Sequence, residues 1–581
     1  MRKRHLLQII ILILVLTLLL QGCWMLPAPV EVAPETVSPL VEDIPLPIIP
    51  VEYTPSLPGR FSLRYDSKSS LNPITTLDRD NILVASLLYE SLFVLDDKLN
   101  AKPLLCEQWS SEDNLTFTFK LKPDIAMSDG STLTADDVVY SLKQAMLDGR
   151  FIHRFRAGDS FTSDGELTVT AVLSEPNSRF INLLDVPIIK NGSIKNSIPP
   201  GTGPYIFVKA EIVPEIINEP EGDPEVESES EPPSPASTEP GNESEPEIED
   251  EVATIWLERF QQHRDYDNLP VEKIYLRECE DNQLTELFDD GALSLLWDDP
   301  SDSFEIRINR LPEKHYYKTT ALQFIGFNAR RGIMEDPDIR RAVSCSIDRQ
   351  YIVDEVLAGQ QAIASPLALS SAFPLFDKKW EERDLDPQVE MTLLLVNARL
   401  DDYDEDSFLE VLVGTDRYNK FTVDFIVNIE NTHRTQAAHK IADTLRRVGF
   451  NITVRELPWD SYLEALQKGD FDMYYGEIVL NADFNLSPLL LPNGQLNYGG
   501  TGSSEYAPFI DDFLAARTDS EIKYAAKRLC DEITTLAPFA PVLYKKYAMY
   551  IPMGAISGAT PSQSSVFYNF SNWTIDFTML R

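Results

Sequence analysis

Histidine and cysteine are the side chains that most often serve as catalytic bases, nucleophiles and metal ligands, and both are scarce in this 581-residue chain. Two of the six histidines, His433 and His439, are close in sequence, but a spacing of six does not place both on one helix face as a metal site needs. The sequence contains no G-x-S-x-G elbow, no H-E-x-x-H and no P-loop. It therefore indicates a protein that is not an enzyme, with no cofactor and no metal site.

Four of the five cysteines are far apart, and no two of them form a C-x-x-C pair. Zinc binding and thioredoxin-like redox chemistry are therefore not indicated. Four cysteines allow three disulfide pairings. Isolated buried thiols are favoured, because a chain of this length can form its own hydrophobic core. These cysteines are Cys106, Cys279, Cys345 and Cys530.

The fifth cysteine, Cys23, ends the N-terminal apolar run "MRKRHLLQIIILILVLTLLLQGC". A basic start and an apolar stretch of about 15 residues are typical of a signal peptide and short for a membrane span. The end, Leu20-Gln21-Gly22-Cys23, resembles a bacterial lipobox. We expect residues 1–23 to be a lipoprotein signal peptide and Cys23 to carry the lipid anchor on the outer face of the cell membrane. An uncleaved N-terminal anchor is the alternative, and it also leaves the remaining chain outside the cytoplasm.

Acidic residues outnumber basic ones by 92 to 51, which gives a formal net charge of −41. A nucleic-acid partner is therefore not expected, because it would need a basic face.

Two tracts are irregular. Residues 24–58 are so rich in proline that we expect an extended tether. Residues 211–251 are rich in Glu and Pro and contain no Lys or Arg, which predicts disorder. The flanking stretches "TGPYIFVKA" and "ATIWLERF" show the alternating side-chain pattern of strands. This predicts that the tract is an acidic insert in the turn of a hairpin. A Ca²⁺ site in this tract is the alternative, although its acids are not spaced as a coordinating loop.

The remaining sequence predicts a mixed α and β protein. "NLTFTFKLKP" alternates as a strand, and "TADDVVYSLKQAM" begins like a helix capped by Thr134. "FTVDFIVNIE", "THRTQAAHKIADTLRRVGF" and "NITVRELPW" form a strand, a helix and a strand, with Gly449 at the expected helix end. This order predicts a βαβ unit with parallel strands.

Several stretches, taken in order, resemble the extracellular solute-binding proteins of ABC importers for oligopeptides, dipeptides and nickel, known as family 5. The resemblance extends over about 500 residues and includes the motifs "GTGPY" and "IRRAVSCSIDR". The stretches that carry it are "SSLNPITTLDRDNILVASLLYESL", "FTFKLKPDIAMSDGSTLTADDVVYSL", "GTGPYIFV", "FIGFNARRGIMEDPDIRRAVSCSIDRQYIVDEVLAGQ" and "LPWDSYLEALQKGDFDMYYGEIVLNADFNLSPLL".

The resemblance implies an α/β fold of the type II periplasmic-binding-protein kind, with two lobes, an extra domain and mixed sheets. Two segments would cross between the lobes, and the lobes would close around a ligand. The implied ranges are residues 59–90, 198–325 and 541–581 for the first lobe, 91–197 for its extra domain and 326–540 for the second lobe.

The resemblance also implies which residues bind ligand. Asp483, in "LNADFNLSP", is in the place of an Asp that pairs with the terminal ammonium of a peptide, although a role in capping a turn is the alternative. Trp459 matches an aromatic residue that lines a side-chain pocket, with a packing role as the alternative. Tyr89 and Glu90 lie at a lobe edge in the family pattern. Arg341 is expected to form a structural ion pair.

The implied function is to capture peptides and to deliver them, as a membrane-anchored monomer, to the transmembrane subunits of an ABC permease. Some members of the family bind nickel, but this sequence contains few histidines, so nickel is the less favoured ligand. The family's Gly-Trp pair before the ligand Asp reads Gly476-Glu477 here. A degenerate binding fold that acts as a surface adaptor or sensor is therefore the alternative.

Overall fold

The computed structural model describes residues 60–147, 149–210, 254–299, 308–309, 311–359, 361–369 and 372–580. The predicted signal peptide, lipid-bearing Cys23 and tether, and the predicted disorder of 211–251, lie outside the described residues. Within the described ranges, no helix is long and apolar enough to span a membrane. We use the names first lobe, extra domain and second lobe for the ranges given above, whose boundaries remain a prediction.

The described chain contains both strands and helices. The strands are β1 (Phe61–Arg64), β2 (Phe93–Leu95), β3 (Ala101–Pro103), β4 (Cys106–Ser110), β5 (Thr116–Leu121), β6 (Ser160–Ser163), β7 (Thr168–Val172), β8 (Tyr205–Ala210), β9 (Thr254–Arg259), β10 (Lys273–Arg277), β11 (Leu296–Asp298), β12 (Pro312–Phe327), β13 (Ala362–Ala364), β14 (Leu400–Asp401), β15 (Glu410–Val413), β16 (Arg417–Lys420), β17 (Val423–Asn428), β18 (Ile452–Leu457), β19 (Met473–Val479), β20 (Phe539–Pro552), β21 (Ile556–Ser557) and β22 (Thr574–Ile575). The helices are α1 (Arg79–Ala85), α2 (Ala135–Ala145), α3 (Leu284–Asp289), α4 (Pro337–Ser346), α5 (Arg349–Tyr351), α6 (Pro387–Asn397), α7 (Thr432–Arg447), α8 (Trp459–Lys468), α9 (Ser487–Leu490), α10 (Ala507–Ala515) and α11 (Asp519–Leu536).

The first lobe is built on a four-stranded sheet in the order β1-β10-β9-β8. Strands β8 and β9 pair antiparallel up to Ala210 and Thr254, the residues that flank the acidic insert. Strand β1 is parallel to β10. A core of buried side chains, among them Phe61, Leu257 and Phe570, packs in this part of the chain.

The extra domain contains an antiparallel sheet in the order β4-β5-β7-β6. Strand β5 alternates buried and exposed residues, as its sequence predicted, because successive side chains of a strand point to opposite faces. Helix α2 begins at the predicted cap, Thr134, which forms a capping box with Asp137. These elements surround a core that includes Phe117, Phe161 and Phe180.

A larger sheet in the order β11-β20-β12-β19-β17-β18 joins the two lobes, and β13 also pairs with β20. Its two long strands, β12 with 16 residues and β20 with 14, run antiparallel. One end of the pair adjoins β11 of the first lobe and the other adjoins β19 of the second. The register between β12 and β20 is irregular between Lys318 and Leu322, so this crossing is the natural place for a bend between the lobes.

The predicted βαβ unit is confirmed. Strands β17 and β18 pair parallel, from Val423 with Ile452 to Asn428 with Leu457, and α7 connects them. Gly449 has a φ of 103° just after the last helical turn, a conformation that glycine adopts without strain. Strand β19 is parallel to β17 on its other side, so the carboxyl ends of β17, β18 and β19 share one edge of the sheet.

Candidate functional site

In open sheets with parallel strands, ligands bind at the edge formed by the carboxyl ends of the strands. Here that edge presents Glu430 after β17, Trp459 after β18 and Glu477 near the end of β19. The Trp459 backbone N–H donates to Glu430 Oε1 at 3.0 Å, so the first and second strand ends are joined directly. The edge is therefore the first candidate for the ligand-binding surface of the second lobe.

Glu477 is the centre of an ion network at this edge. Its carboxylate accepts hydrogen bonds from Arg434 Nη2 at 2.7 Å and from Gln323 Nε2 at 2.9 Å. Lys545 Nζ lies 3.2 Å from each of its oxygens. Burial alone would raise the pKa of Glu477, but Lys545 and Arg434 hold the pKa below its ordinary value of 4.5. Glu477 is therefore charged when the protein is folded at neutral pH.

Lys545 connects Glu477 to the first lobe. Its ammonium also contacts Asp299, which follows β11, and its side chain is only 3% exposed. Burial alone would lower the pKa of Lys545, but Glu477 and Asp299 raise it above 10.5. One buried cation on the crossing strand β20 thus pairs with one carboxylate from each lobe.

Aromatic rings lie beside this network on the first-lobe side. Tyr547 makes edge-to-face contacts with Trp297 and Tyr317, at ring distances of 6.1 and 6.2 Å. The Arg79 guanidinium lies 4.7 Å from the centre of the Trp297 ring. Such rings offer a flat apolar surface with polar atoms at the rim, which suits contact with varied side chains.

A cavity of about 390 Å³ adjoins these rings, and Trp297, Tyr317, Tyr89 and Glu90 contribute to its lining. Its volume is within the usual range for small-molecule sites, about 300–1,000 Å³. The Glu90 carboxylate is buried and accepts from Arg264 Nη1 at 2.9 Å. His263 Nε2 lies 3.3 Å from Glu90. Burial alone would raise the pKa of Glu90, but the hydrogen bonds from His263 and Arg264 lower it.

The "GTGPY" motif holds Tyr89 in place by close backbone packing. A Cβ on Gly201 would lie 2.4 Å from the Tyr89 ring, and one on Gly203 would lie 2.2 Å from the Leu88 carbonyl carbon. The Tyr89 hydroxyl donates to the Pro199 carbonyl at 2.8 Å. Both glycines are therefore needed for the chain to pass behind the cavity wall.

We expect Gly203→Ala to destabilise the protein by about 3 kcal/mol, because its new methyl group would overlap backbone atoms that cannot rotate away. Gly165→Ala is the matched control: Gly165 has a φ of 83° but open space around its Cβ position, so only backbone strain of about 1 kcal/mol is expected. Chemical denaturation of both variants measures the difference. A loss at Gly203 no larger than the loss at Gly165 would mean that overlap with the Leu88 backbone does not control the stability of this turn.

Asp483 is buried at the contact between the second lobe and the extra domain. Its Oδ2 accepts from Asn177 Nδ2 at 3.0 Å and its Oδ1 from the Asn485 backbone N–H at 3.1 Å. The bond to Asn485 is the turn-capping contact considered as the alternative. Burial raises the pKa of Asp483 above 3.8. Both hydrogen-bond donors are neutral, and its role in binding an ammonium remains a prediction.

The contact around Asp483 continues to neighbouring residues. Arg179 Nη2 donates to the Ala482 carbonyl at 3.1 Å, and the Arg179 guanidinium lies over the rings of Phe373 and Phe484. Leu99 of the extra domain is buried in the same apolar cluster as these two rings. The extra domain is therefore packed against the second lobe as well as continuous with the first.

Trp459 begins α8 and is 52% exposed, so packing does not account for its whole ring. It stacks on Tyr462 at 5.9 Å, and the Tyr462 hydroxyl donates to the Tyr475 carbonyl at 2.6 Å. Tyr475 in turn donates to Gln323 Oε1 at 2.9 Å, and Gln323 bonds Glu477. A chain of contacts thus links Trp459 to the ion network.

The structure brings together only part of the predicted site. Tyr89 and Glu90 line the cavity, Trp459 lies on the strand edge, and Asp483 lies at the contact with the extra domain. Sequence reasoning missed Lys545 and Asp299. The one available signal was Glu477, a charged residue where the family carries Trp.

The expected structural ion pair of Arg341 is confirmed with Glu390 at 3.1 Å and Asp338 at 3.4 Å.

The family model for bacterial extracellular solute-binding proteins, family 5 (middle region), matches residues 100–217 and 248–497, more than half of the chain. The chain belongs to family 5 of the bacterial extracellular solute-binding proteins. The predicted family is thus confirmed. Members of this family bind solutes and are not enzymes.

Individual relatives are distant. The periplasmic murein peptide-binding protein MppA of Escherichia coli (strain K12) is 22% identical over 515 residues, which is 81% of this chain and 86% of MppA. The glutathione-binding protein GsiB of the same strain is 30% identical over 150 residues, which is 24% of this chain and 29% of GsiB. The oligopeptide-binding protein AppA of Bacillus subtilis, solved with a nonapeptide, is 18% identical with a TM-score of 0.58, over 89% of this chain and 98% of AppA. The AppA likeness supports the predicted periplasmic-binding-protein fold.

Proposed function

We propose that this family 5 protein captures a peptide between its two lobes and delivers it to the transmembrane subunits of an ABC importer. The observation that carries the proposal is the position of Lys545, whose ammonium pairs at once with Asp299 of the first lobe and Glu477 of the second. This link lies at the strand edge where sheets of this kind bind ligands. The ligand-sized cavity is lined by residues of the first lobe and its extra domain, among them Trp297. A ligand that touches both lobes would favour the closed arrangement by its differential affinity.

Three relatives support peptide as the ligand class, because two are binding proteins for murein peptide and glutathione and one was solved with a nonapeptide. The surroundings of the cavity agree with this class. Trp297 and Tyr317 offer apolar area for side chains, while Glu90 and Arg264 offer charge near the backbone of a peptide. Nickel is the less favoured ligand. Among the described residues, His263 is the only histidine that lines this cavity.

Tyr89, Glu90 and Trp459 would contact the ligand along the cavity wall and strand edge. Asp483 would bind the ligand's terminal ammonium in place of the Asn177 amide. Burial keeps the pKa of Asp483 raised although the charges of Arg179 and Arg156 offset part of that effect, and its two hydrogen-bond donors are neutral. An ammonium would supply a directly bonded opposite charge. Such carboxylates are candidates for functional sites.

In the proposed cellular setting the folded body is a monomer, held at the outer face of the cell membrane by lipidated Cys23 and the tether of residues 24–58. Two acyl chains would make this attachment stable. The net charge of −41 keeps such an exported body soluble.

A surface adaptor or sensor without peptide transport is the second candidate, and one observation favours it. Asp483, where the family resemblance places a ligand contact, and Glu477, where the family carries Trp, are both engaged by side chains of the protein itself. If these contacts persist at all times, the binding site is closed to a guest.

A thermal-shift series separates the two candidates. Free peptides of two to nine residues, with Ni²⁺ as a further arm, are added to the full chain. A binder gains stability by mass action, about 2.7 kcal/mol when the peptide is at a hundred times its Kd. We expect at least one peptide class to raise the melting temperature in a concentration-dependent way. An unchanged melting temperature across the whole series supports the adaptor and overturns the importer role.

Trp459→Ala is expected to weaken peptide binding about tenfold, because exposed aromatic side chains that a ligand covers commonly contribute more than 1 kcal/mol to binding. Its effect on unfolding should be small, since half of the ring is already exposed. Trp109→Ala is the matched control: Trp109 is 41% exposed and also stacks on a ring, Phe117, but lies in the extra domain. Calorimetric titration of both variants with the same peptide checks this, and equal affinities would remove Trp459 from the site.

A further inference from the structure

Four acidic side chains converge in the second lobe, three from the loop that connects β14 to β15 and one from the first residue of β15. They are Asp402, Asp404, Asp406 and Glu410, and one carboxylate oxygen from each lies within 4.8 Å of the others. The loop is part of a small sheet in the order β14-β15-β16, remote in sequence from the peptide site. Convergence of like charges is unfavourable unless cations compensate it, so the charges that balance this cluster need to be identified.

The order of the acids is that of a calcium-binding loop. In the twelve-residue loop of an EF-hand, ligands come from positions 1, 3, 5 and 9, and position 6 requires a sharp turn. Asp402, Asp404, Asp406 and Glu410 fall on positions 1, 3, 5 and 9, and Ser407 at position 6 has a φ of 76°. Position 12 is Val413 in place of the usual bidentate glutamate.

Spacing alone would not identify a site, but Glu410 provides independent evidence. Glu410 is fully buried, and its Oε2 accepts from the Tyr403 backbone N–H at 2.8 Å. Its Oε1 has no hydrogen-bond donor, and a carboxylate oxygen of Glu410 lies within 4.8 Å of one from each of the other three acids. A buried carboxylate oxygen without a donor costs free energy, and such groups are rare in native proteins. A metal ion among the four carboxylates would satisfy it.

Among the described residues, Lys420 is the only cation that contacts the cluster. Its Nζ lies 2.7 Å from Asp404 and also contacts Asp406, but it is 3.8 Å from Glu410 Oε1, beyond hydrogen-bond distance. Its side chain is 57% exposed, so it is able to leave the cluster without unpacking the core.

We propose that these four carboxylates bind one Ca²⁺ ion, with Lys420 displaced towards solvent. The donors are all oxygen, which suits a hard cation and not zinc or copper. Ca²⁺ is preferred to Mg²⁺ because it accepts many carboxylates in a flexible arrangement, whereas Mg²⁺ retains water and demands strict octahedral geometry. Without a glutamate at position 12, the affinity should be weak, with a Kd of about 10⁻⁴–10⁻³ M.

Terbium luminescence and calorimetry on the full chain test this site. Tyr403 lies in the loop and stacks on Tyr418 at 6.0 Å, so excitation of tyrosine should sensitise Tb³⁺ bound there. We expect saturable Tb³⁺ emission that Ca²⁺ displaces and that an equal concentration of Mg²⁺ displaces poorly. Absence of saturable emission overturns the proposal, and so does displacement by Mg²⁺ at least as effective as by Ca²⁺.

Variants locate the ion, which matters because the acidic insert also carries many carboxylates. Glu410→Gln and Asp404→Asn should each weaken Ca²⁺ binding at least tenfold, and Asp404 is exposed enough to replace without disturbing the fold. Lys420→Met should strengthen binding, since it removes the competing cation. Glu405→Gln, an exposed neighbour outside the cluster, is the control and should change nothing. Equal binding in Asp404→Asn and Glu405→Gln would assign the calcium to another part of the chain.

Discussion

Replacing Lys545 with methionine should destabilise the folded protein by about 3–5 kcal/mol, the usual result of removing one partner from a buried ion pair. Methionine retains most of the apolar stem, so the main loss is the charge between Asp299 and Glu477. Lys546→Met is the matched control. Lys546 is the next residue on the same strand, is only partly buried, and has a pKa lowered by burial and by Lys318, so its charge contributes no comparable stabilisation. Chemical denaturation of the two variants measures the difference.

A second substitution tests the cause of this loss. Adding Glu477→Gln to Lys545→Met removes one of the two carboxylates that have lost the Lys545 charge and should restore part of the lost stability. If the double variant is no more stable than Lys545→Met alone, the loss comes from packing and not from charge.

The pH dependence of the Lys545→Met effect has a definite sign. The lowered pKa of Glu477 means that its ionised form stabilises the fold above pH 4.5, and this contribution is lost as the pH falls through the folded-state pKa. The difference between wild type and Lys545→Met should therefore be largest near neutral pH and should narrow below pH 4.5. A constant difference down to pH 3 would contradict the assigned charge on Glu477.

Asp483→Asn should lower the affinity for a peptide with a free amino terminus about 10- to 100-fold, because hydrogen bonds to charged groups contribute about 1.5–3 kcal/mol. Its stability at neutral pH should stay the same or rise. The raised pKa of Asp483 means that folding favours its neutral form, so the charged form costs stability as the pH rises above 3.8. Asparagine removes that cost and keeps an oxygen for the Asn177 amide.

An N-acetylated copy of the same peptide is the control for the Asp483→Asn experiment. It lacks the ammonium and should bind wild type and variant alike. Asn177→Ala provides a second check, because it frees Oδ2 of Asp483 and should strengthen binding of the free peptide. Equal affinity of wild type and Asp483→Asn for the free peptide would leave Asp483 with only its internal contacts.

Local patterns in the sequence predicted much of the fold. The alternation in β5, the cap at Thr134 and the βαβ unit with Gly449 depend on neighbours a few residues apart, and the structure agrees with each. The family motifs extended these local predictions to the whole chain. The "GTGPY" motif illustrates the limit, because the sequence shows its glycines but not that Gly203 packs on Leu88.

The site was less predictable because it depends on contacts between distant residues. Asp483 and Asn177 are 306 positions apart, and nothing in the sequence marks this asparagine as a partner. Asp299 is one of 92 acidic residues, so its pairing with Lys545 needs the sheet order to be known first. The loop from Asp402 to Glu410 is the contrary case: its spacing was visible in the sequence, whereas the buried unpaired oxygen of Glu410 was not.

Capture of a peptide by this chain is the central claim, and native mass spectrometry of the protein purified without denaturation tests it most directly. We predict that part of the protein carries one bound ligand, seen as a single added mass per protein molecule. Mild activation should release this ligand, and fragmentation should identify it as a peptide. The added mass should fall in Asp483→Asn if the ammonium is held there. Protein that carries no added mass, and that remains unliganded after incubation with a mixture of free peptides, would contradict the account.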